Sequence, residues 1–497
     1  MATAEGGVPI DVEWLNSLTR RVEGARLRRH RRDEPRTIFR VPANMREGDP
    51  SAYQPRIISF GPFARDNPAL KPMEKLKYRY VQKLLQRNPY AKLEDYVSSI
   101  RGLEVRSRAC YSEDVPMGSN EFVEMMLLDG CFIVEVLLLQ TDEEEDRADA
   151  GEEVEEDPIL TTNWTLPLVE YDMLMLENQI PFFIVEKVFE LATSAGTYQT
   201  SCGSLNRLLL SFFDDLLPNE QMFLLPDAAA PEFYHVLHFV HYCIMPEEYK
   251  KSSQSEIKKA YKPFIYLKLR KIRRLSSDLY RRLLSSFRGS RSAGSVSDGS
   301  EQSSSPVVPE SVPSATMLKE SGVKFKEKDA RSFLDVAFRD GTMEMPTLQV
   351  YDQTNSLFRN LIAFEQCLPD VGTHVATYAV LMDCLIDSGE DVALLHRYGC
   401  VVNGLGNDDD AAKLFNRLCK EVAVNYDACY LAGLFREVKK HCDSRWNKYR
   451  AKLMRDYFSN PWSFLSLVGA LVIIALTVIQ TSFAILAYFK PPHGAPT

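Results

Sequence analysis

Three groups of residues in this chain have side chains and spacing suited to chemistry. The first is His235, His238 and His241 in EFYHVLHFVHYC. On a helix, successive members of an i, i+3, i+6 set lie about 60° apart, so the three imidazoles spread over roughly 120° of one side. Two could share a metal, but three would need a distorted helix. Val236, Leu237, Phe239 and Val240 alternate with them, and no acidic residue lies between them to orient a ligating ring. The reading preferred is therefore buried helix histidines and no metal. The second group is a pair of polar islands in apolar runs, Glu177-Asn178-Gln179 and Glu365-Gln366. A buried carboxylate is costly unless it is paired or hydrogen-bonded. Glu177 and Glu365 would form an acid/base pair of the glycosidase kind if they faced each other across a cleft. Otherwise they cap helix ends or tie two halves of the fold together, and Asp129 poses the same question. The third group is Arg445, Lys448, Arg450, Lys452 and Arg455, set just before the greasiest part of the chain. They determine membrane topology and can also meet anionic lipid. No phosphate-binding GxxxxGK[ST], no GxGxxG after a strand, no GxSxG and no HExxH is present. The expectation is a protein with no catalytic residues and no cofactor.

The element that sets the scene for all three is residues 464–489, FLSLVGALVIIALTVIQTSFAILAYF, without a single charge. At about 1.5 Å per residue this is roughly 39 Å of helix, enough to cross a hydrocarbon core about 30 Å thick with some tilt. The basic residues lie before it and only Lys490 follows, so the positive-inside bias predicts a single-pass protein with its large N-terminal part cytoplasmic. The plasma membrane is the expected host. The first residues, MATAEGGVPIDVEWLNSL, lack an apolar core and do not read as a secretory signal. Asn163-Trp164-Thr165 is a glycosylation sequon, usable only if the body is exported. The remainder has an ordinary globular composition, 45% hydrophobic and 26% charged over 497 residues, with net charge −9. Ten cysteines are scattered with no CxxC pair, which suits reduced buried thiols rather than a disulfide framework or a zinc site. Nothing in the pattern calls for a nucleic-acid partner.

Along the chain, residues 1–38 form a basic leader, partly helical, that ends in Arg26, Arg28, Arg29, His30, Arg31 and Arg32. Residues 39–283 form a helical half. It opens with an extended Pro/Gly-punctuated segment (39–63) and continues with helices from Pro72, near 93–103, and over 121–139 with an interruption at Asp129-Gly130. The acidic stretch 142–157 reads as a disordered loop. A helix running to Glu177, a break at Asn178-Gln179 and a new helix with Pro181 in its first turn come next. Helices over 204–217 and 231–245 and a basic amphipathic stretch, 258–288, complete this half. Residues 284–315 are a Ser/Pro-rich linker. The second half, 316–458, starts with a small antiparallel β region signalled by Asp340-Gly341. It is helical from 354 onward, with Thr373, Asp391 and Asp408 as caps. Its last helix carries the stripe Leu431, Leu434, Val438, Cys442, Trp446, Tyr449 and Leu453. The span and a short tail, 490–497, close the chain. The fold class is mainly α with a small antiparallel β region: a large helical body plus one C-terminal transmembrane helix.

The pieces IFRVPANMR, AYQPRIISFGPF, LKPMEKLKYRYVQKLL, MLLDGCFIVE, MLMLENQIPFF, SATMLKESGVKFK, NLIAFEQC and LFNRLC, with the PW-plus-span ending, stand in one order. Together they resemble a large plant family, the domain of unknown function number 247, over roughly residues 39–489. The resemblance implies a single-span membrane protein of plants, without an assigned activity. Association of some grass members with pollen-side self-recognition implies a protein-binding role. Where relatives carry an SxGPYHHG-like segment, this chain has Ser59-Phe60-Gly61-Pro62-Phe63-Ala64-Arg65-Asp66, so any chemistry of those histidines is missing. Two functions follow as expectations. One is a non-catalytic, membrane-anchored interaction module that meets membrane lipid and a protein partner. The other is a membrane-bound hydrolase using Glu177 and Glu365.

Overall fold

The computed structural model describes residues 12–24, 36–149, 159, 162, 164–194, 204–214, 232–246, 312–420, 422–425, 429–455 and 461–489. The basic run at 26–32, the second part of the acidic stretch, Asn163, the basic stretch 258–288, most of the Ser/Pro linker and the tail lie outside the described residues. The protein is mainly helical. Its first half comprises α1 (Val12–Gly24), α2 (Ala43–Arg46), α3 (Lys71–Arg87), α4 (Leu93–Gly102), α5 (Glu104–Ala109), α6 (Ser119–Asp149), α7 (Thr165–Met173), α8 (Phe182–Thr193), α9 (Leu205–Phe212) and α10 (Val236–Ile244). α6 is central because it is apolar on every side. Phe122, Met126, Cys131, Phe132, Val134 and Leu137 are all buried, and α3, α4, α8 and α9 pack around it.

Two local expectations change here. Asp129-Gly130 does not interrupt α6. A Cβ on Gly130 would lie 3.1 Å from Val188 Cγ2 and 3.3 Å from Ile184 Cγ2, so the glycine lets α8 approach rather than breaking the helix. α6 also runs on to Asp149, so the first part of the acidic stretch is helix and not loop. Further along, α7 ends at Met173, and residues 174–181 form a buried turn before α8, with Pro181 at the N-cap. The helix therefore stops four residues earlier than Glu177, because the side chains of the turn are used for tertiary bonds described below.

The second half holds α11 (Ala315–Glu320), β1 (Lys324–Glu327), β2 (Ala337–Arg339), β3 (Thr342–Met345), β4 (Leu348–Val350), α12 (Thr354–Cys367), α13 (His374–Leu385), α14 (Gly389–Arg397), β5 (Val401–Asn403), α15 (Asp408–Leu418), α16 (Ala432–Asp443), α17 (Arg445–Leu453) and α18 (Pro461–Phe489). β2 and β3 form the hairpin signalled by Asp340-Gly341, and both turn residues have positive φ, 49° and 75°, as a type I′ turn requires. The sheet is mixed rather than antiparallel. β1 pairs with β3 in parallel, and β4 pairs in parallel with β5, a strand inside a stretch that reads as helical. Both parallel ladders join strands distant along the chain, which no local signal announces.

Helix starts also differ in detail. Ser388 and Asp391 form a capping box on α14, Asn407 rather than Asp408 caps α15, and Thr373 makes no side-chain cap. The stripe before the span breaks at Ser444. Leu434 and Val438 on α16 are buried, whereas Trp446 and Tyr449 on α17 are 77% and 72% exposed. One continuous hydrophobic core runs from Ile38 to Val438 and draws on both halves. Outside it stands α18, whose stretch Leu465–Leu486 is long and apolar enough to cross a membrane and is buried nowhere.

Candidate functional site

The polar islands of the sequence are the joints of the core. In the turn after α7, the Glu177 carboxylate accepts from the Val41 amide at 2.6 Å, from Arg46 Nη2, and from Arg40 Nη1 at 3.4 Å. Asn178 Oδ1 accepts from the Phe60 amide at 2.7 Å, while its Nδ2 donates to the carbonyls of Ile58 and Asp172. Gln179 Nε2 donates to the carbonyls of Met173 and Met175, and its Oε1 accepts from the Leu237 amide. These three consecutive side chains thus hold the extended segment 39–63, the α7 end and α10. The same turn contacts Gly61 (φ 70°), where a Cβ would lie 2.5 Å from the Gln179 carbonyl oxygen and 2.9 Å from Tyr111 Oη. Asp172 accepts from the amides of Arg56, Ile57 and Ile58. Burial nevertheless raises its pKa to about 6, against the pull of those three donors. From the other half, Asn360 Oδ1 accepts from the Leu176 amide at 2.9 Å, and both Asn360 and Ser356 donate to the Ala52 carbonyl.

Below Gly61 lies a buried ion pair. Lys77 Nζ stands 2.6 Å from Asp129 Oδ1 and also donates to the Ser59 carbonyl and to Glu74. Asp129 Oδ2 accepts from the Gly61 amide at 2.7 Å. Burial raises the Asp129 pKa, and Lys77 opposes that shift.

The histidines surround one ring. Phe364 lies with its centroid 5.0, 5.5 and 5.5 Å from those of His235, His238 and His241. His235 caps α10: its Nδ1 accepts from the His238 amide, so Nε2 carries the proton and donates to the Thr37 carbonyl at 3.2 Å. His238 Nδ1 accepts from the Tyr234 amide, and its ring stacks on Tyr234 at 4.6 Å. Burial lowers both pKa values, that of His235 to about 3. His241 Nε2 lies 2.8 Å from Glu365 Oε1. Glu365 also accepts from the amides of Val375 and Ala376 at 2.9 and 2.8 Å, which makes it the anion at the N-terminus of α13. His374, beside it, is lowered to about 4, mainly by burial.

The structure brings His241 and Glu365 together and gives Glu177 a separate set of partners. The two carboxylates share no donor, and neither lines a described cavity. With backbone amides and fixed side chains filling their acceptor positions, these groups hold helices and segments in register. Two of the three histidines spend a ring nitrogen on backbone amides, and no group of three or more metal-binding side chains occurs among the described residues. The nine described cysteines are free thiols. The membrane-proximal cations Arg445, Lys448, Arg450, Lys452 and Arg455 are all exposed on or just beyond α17. Three of them, Lys448, Lys452 and Arg455, line a cavity of about 400 Å³ with Ser321, Cys442 and Ala451. Sequence reasoning missed Lys77, Asp172, Asn360 and the arginines at 40 and 46. Lys77 did leave a signal: it occupies an inward position in the series Met73, Tyr80, Leu84, where a solvated lysine does not belong.

Fold and junction together define a mainly helical body, tied by buried polar side chains across sequence-distant segments, that ends in an exposed apolar helix. The chain belongs to the family described as plant protein of unknown function, DUF247, which it matches over residues 38–476. It is similar to UPF0481 protein At3g47200 of Arabidopsis thaliana, 28% identical over 465 residues, covering 92% of this chain and 88% of the relative. It is also similar to the putative UPF0481 protein At3g02645 of the same plant, 24% identical over 519 residues, covering 95% and 94%. No solved structure matches it.

Proposed function

We propose that this protein is a membrane-anchored recognition module without catalytic chemistry, whose helical body binds a protein partner beside the membrane. The observation that supports it best is the contrast between α18 and the body. No part of Leu465–Leu486 is buried, and so long an apolar helix in water would expose far more greasy surface than a soluble protein tolerates. Glu177, Glu365 and the three histidines, the side chains best suited to a reaction by sequence, are bonded within the fold. The cations before α18 support a cytoplasmic body by the positive-inside bias, and the plasma membrane is the host favoured. A role in self-recognition is in keeping with this reading.

Proximity labelling from the intact protein, repeated with residues 461–489 deleted, tests the function. Partners captured by the intact chain and lost on deletion support it; an unchanged partner set overturns it. A mass loss on enzymatic deglycosylation, through Asn163, would reverse the orientation. The hydrolase reading has no comparable support, because Glu177 and Glu365 sit in separate networks.

A further inference from the structure

We propose that the cavity between the end of α11 and the face of α17 receives the phosphomonoester headgroup of an anionic lipid, taken from the leaflet where α18 enters the membrane. The inference rests on α18 being an anchor and goes further by giving the body a lipid ligand and a site for it.

The cavity is lined by Ser321, Cys442, Lys448, Ala451, Lys452 and Arg455. Three of these are cations and none is a carboxylate, in a chain whose net charge is −9. Two of the three cations have a carboxylate partner in the protein. Lys448 meets Asp443 at 3.0 Å and Arg455 meets Glu320 at 3.6 Å, both cations being more than half exposed, and such pairs are weak in water. Lys452 makes no ion pair among the described residues. Ser321 Oγ donates to the Met317 carbonyl, so binding falls to the cations. A phosphomonoester brings close to two negative charges and three acceptor oxygens, and lysine and arginine heads answer these as point charge and fork.

The site also lies at the right height. From Arg455 to Pro461 the chain spans six residue steps, at most about 22 Å however those residues run, so the cavity stays close to the headgroup layer. α17 supplies a second mark of the interface. Trp446, Tyr449 and Leu453 are exposed at spacings of three and four residues and form an apolar strip roughly 110° round the helix from the cations. Aromatic side chains of this kind settle at headgroup level. With the strip in the interface, the basic wall of the cavity lies to the side of the helix, at the height of the headgroups.

Cys442 lines the cavity and reports its occupancy. The full chain is reconstituted into vesicles of phosphatidylcholine, of phosphatidylcholine with phosphatidylinositol 4-phosphate, and of phosphatidylcholine with phosphatidylserine at matched charge. N-ethylmaleimide modification of Cys442 is then followed by peptide mass spectrometry. At tenfold saturation, phosphatidylinositol 4-phosphate should slow the modification about tenfold, and phosphatidylserine should leave it nearly unchanged. Lys448→Gln with Lys452→Gln, and the exposed Lys452→Gln alone, should restore the rate, whereas Arg397→Gln on α14 should not. Equal slowing by phosphatidylserine, or no slowing, overturns the proposal and leaves only a general basic surface. Equal slowing by soluble inositol trisphosphate in phosphatidylcholine vesicles overturns the lipid as the source. Flotation with pure phosphatidylcholine after carbonate washing reports the anchor separately. A chain that floats but shows no slowing loses the site alone, and a chain that does not float loses the anchor and this inference with it.

Discussion

Acidification from pH 7.5 to 5 should destabilise the body through the histidines around Phe364 and Glu365. In the unfolded chain a histidine titrates near its ordinary 6.5. In the fold, burial lowers His235 to about 3 and His374 to about 4. The folded values are depressed, so below pH 6.5 the unfolded chain takes up protons that the fold refuses. Stability is complete above that pH and falls as the pH drops toward the folded values. Across this interval each of the two histidines removes about 2 kcal/mol. His238, also lowered by burial, acts in the same direction. Asp172 opposes them. Its folded pKa is raised to about 6, so on acidification the fold binds a proton before the unfolded chain does, which restores about 1.4 kcal/mol. Asp129, also raised, has the same sign. The net loss from His235, His374 and Asp172 is about 2.5 kcal/mol. For a body this large, with m at or above about 3 kcal/mol per molar, the urea midpoint should fall by up to about 0.8 M. The assay is far-UV circular dichroism of the full chain in lipid nanodiscs at both pH values. The double variant His235→Asn, His374→Gln, which keeps a good cap at 235, should lose the drop, because the Asp172 contribution that remains of the three acts in the opposite direction. An equal midpoint at the two pH values, or a full drop in the double variant, would refute the reasoning.

Lys77→Met leaves Asp129 charged and buried without its partner and should cost about 3–5 kcal/mol; adding Asp129→Asn, which still accepts from Gly61, should recover most of it in urea titrations. Gly61→Ala must place a methyl group 2.5 Å from the Gln179 carbonyl in a backbone conformation unsuited to alanine, and should abolish soluble expression of the folded body or lower its thermal midpoint by several degrees at about 3 kcal/mol. Glu365→Gln exchanges one acceptor oxygen for a donor facing the α13 amides and His241. It should cost about 1–3 kcal/mol and raise hydrogen exchange first in α13; unchanged exchange there would show that the cap is dispensable.

What the sequence determined by itself is whatever depends on neighbours along the chain. The apolar run at 464–489, the start of α3 beside Pro72 and the Asp340-Gly341 hairpin all follow from spacing, proline geometry or positive φ. So does the recognition that Glu177, Glu365 and Asp129 needed partners, because desolvation cost is a property of the residue and its apolar surroundings. Which partners they found was settled only by the tertiary structure. Glu365 takes His241 from 124 positions away, and Glu177 takes Arg46 from 131 positions away. Asp129 is matched by a lysine on another helix, and β4 by a strand in an otherwise helical stretch. The same limit explains the errors. Gly130 reads as a helix breaker until α8 lies against it, and Trp446 reads as core until the chain turns at Ser444. Periodicity reports that a face is apolar. Whether protein, lipid or water covers it depends on contacts between segments far apart in the chain.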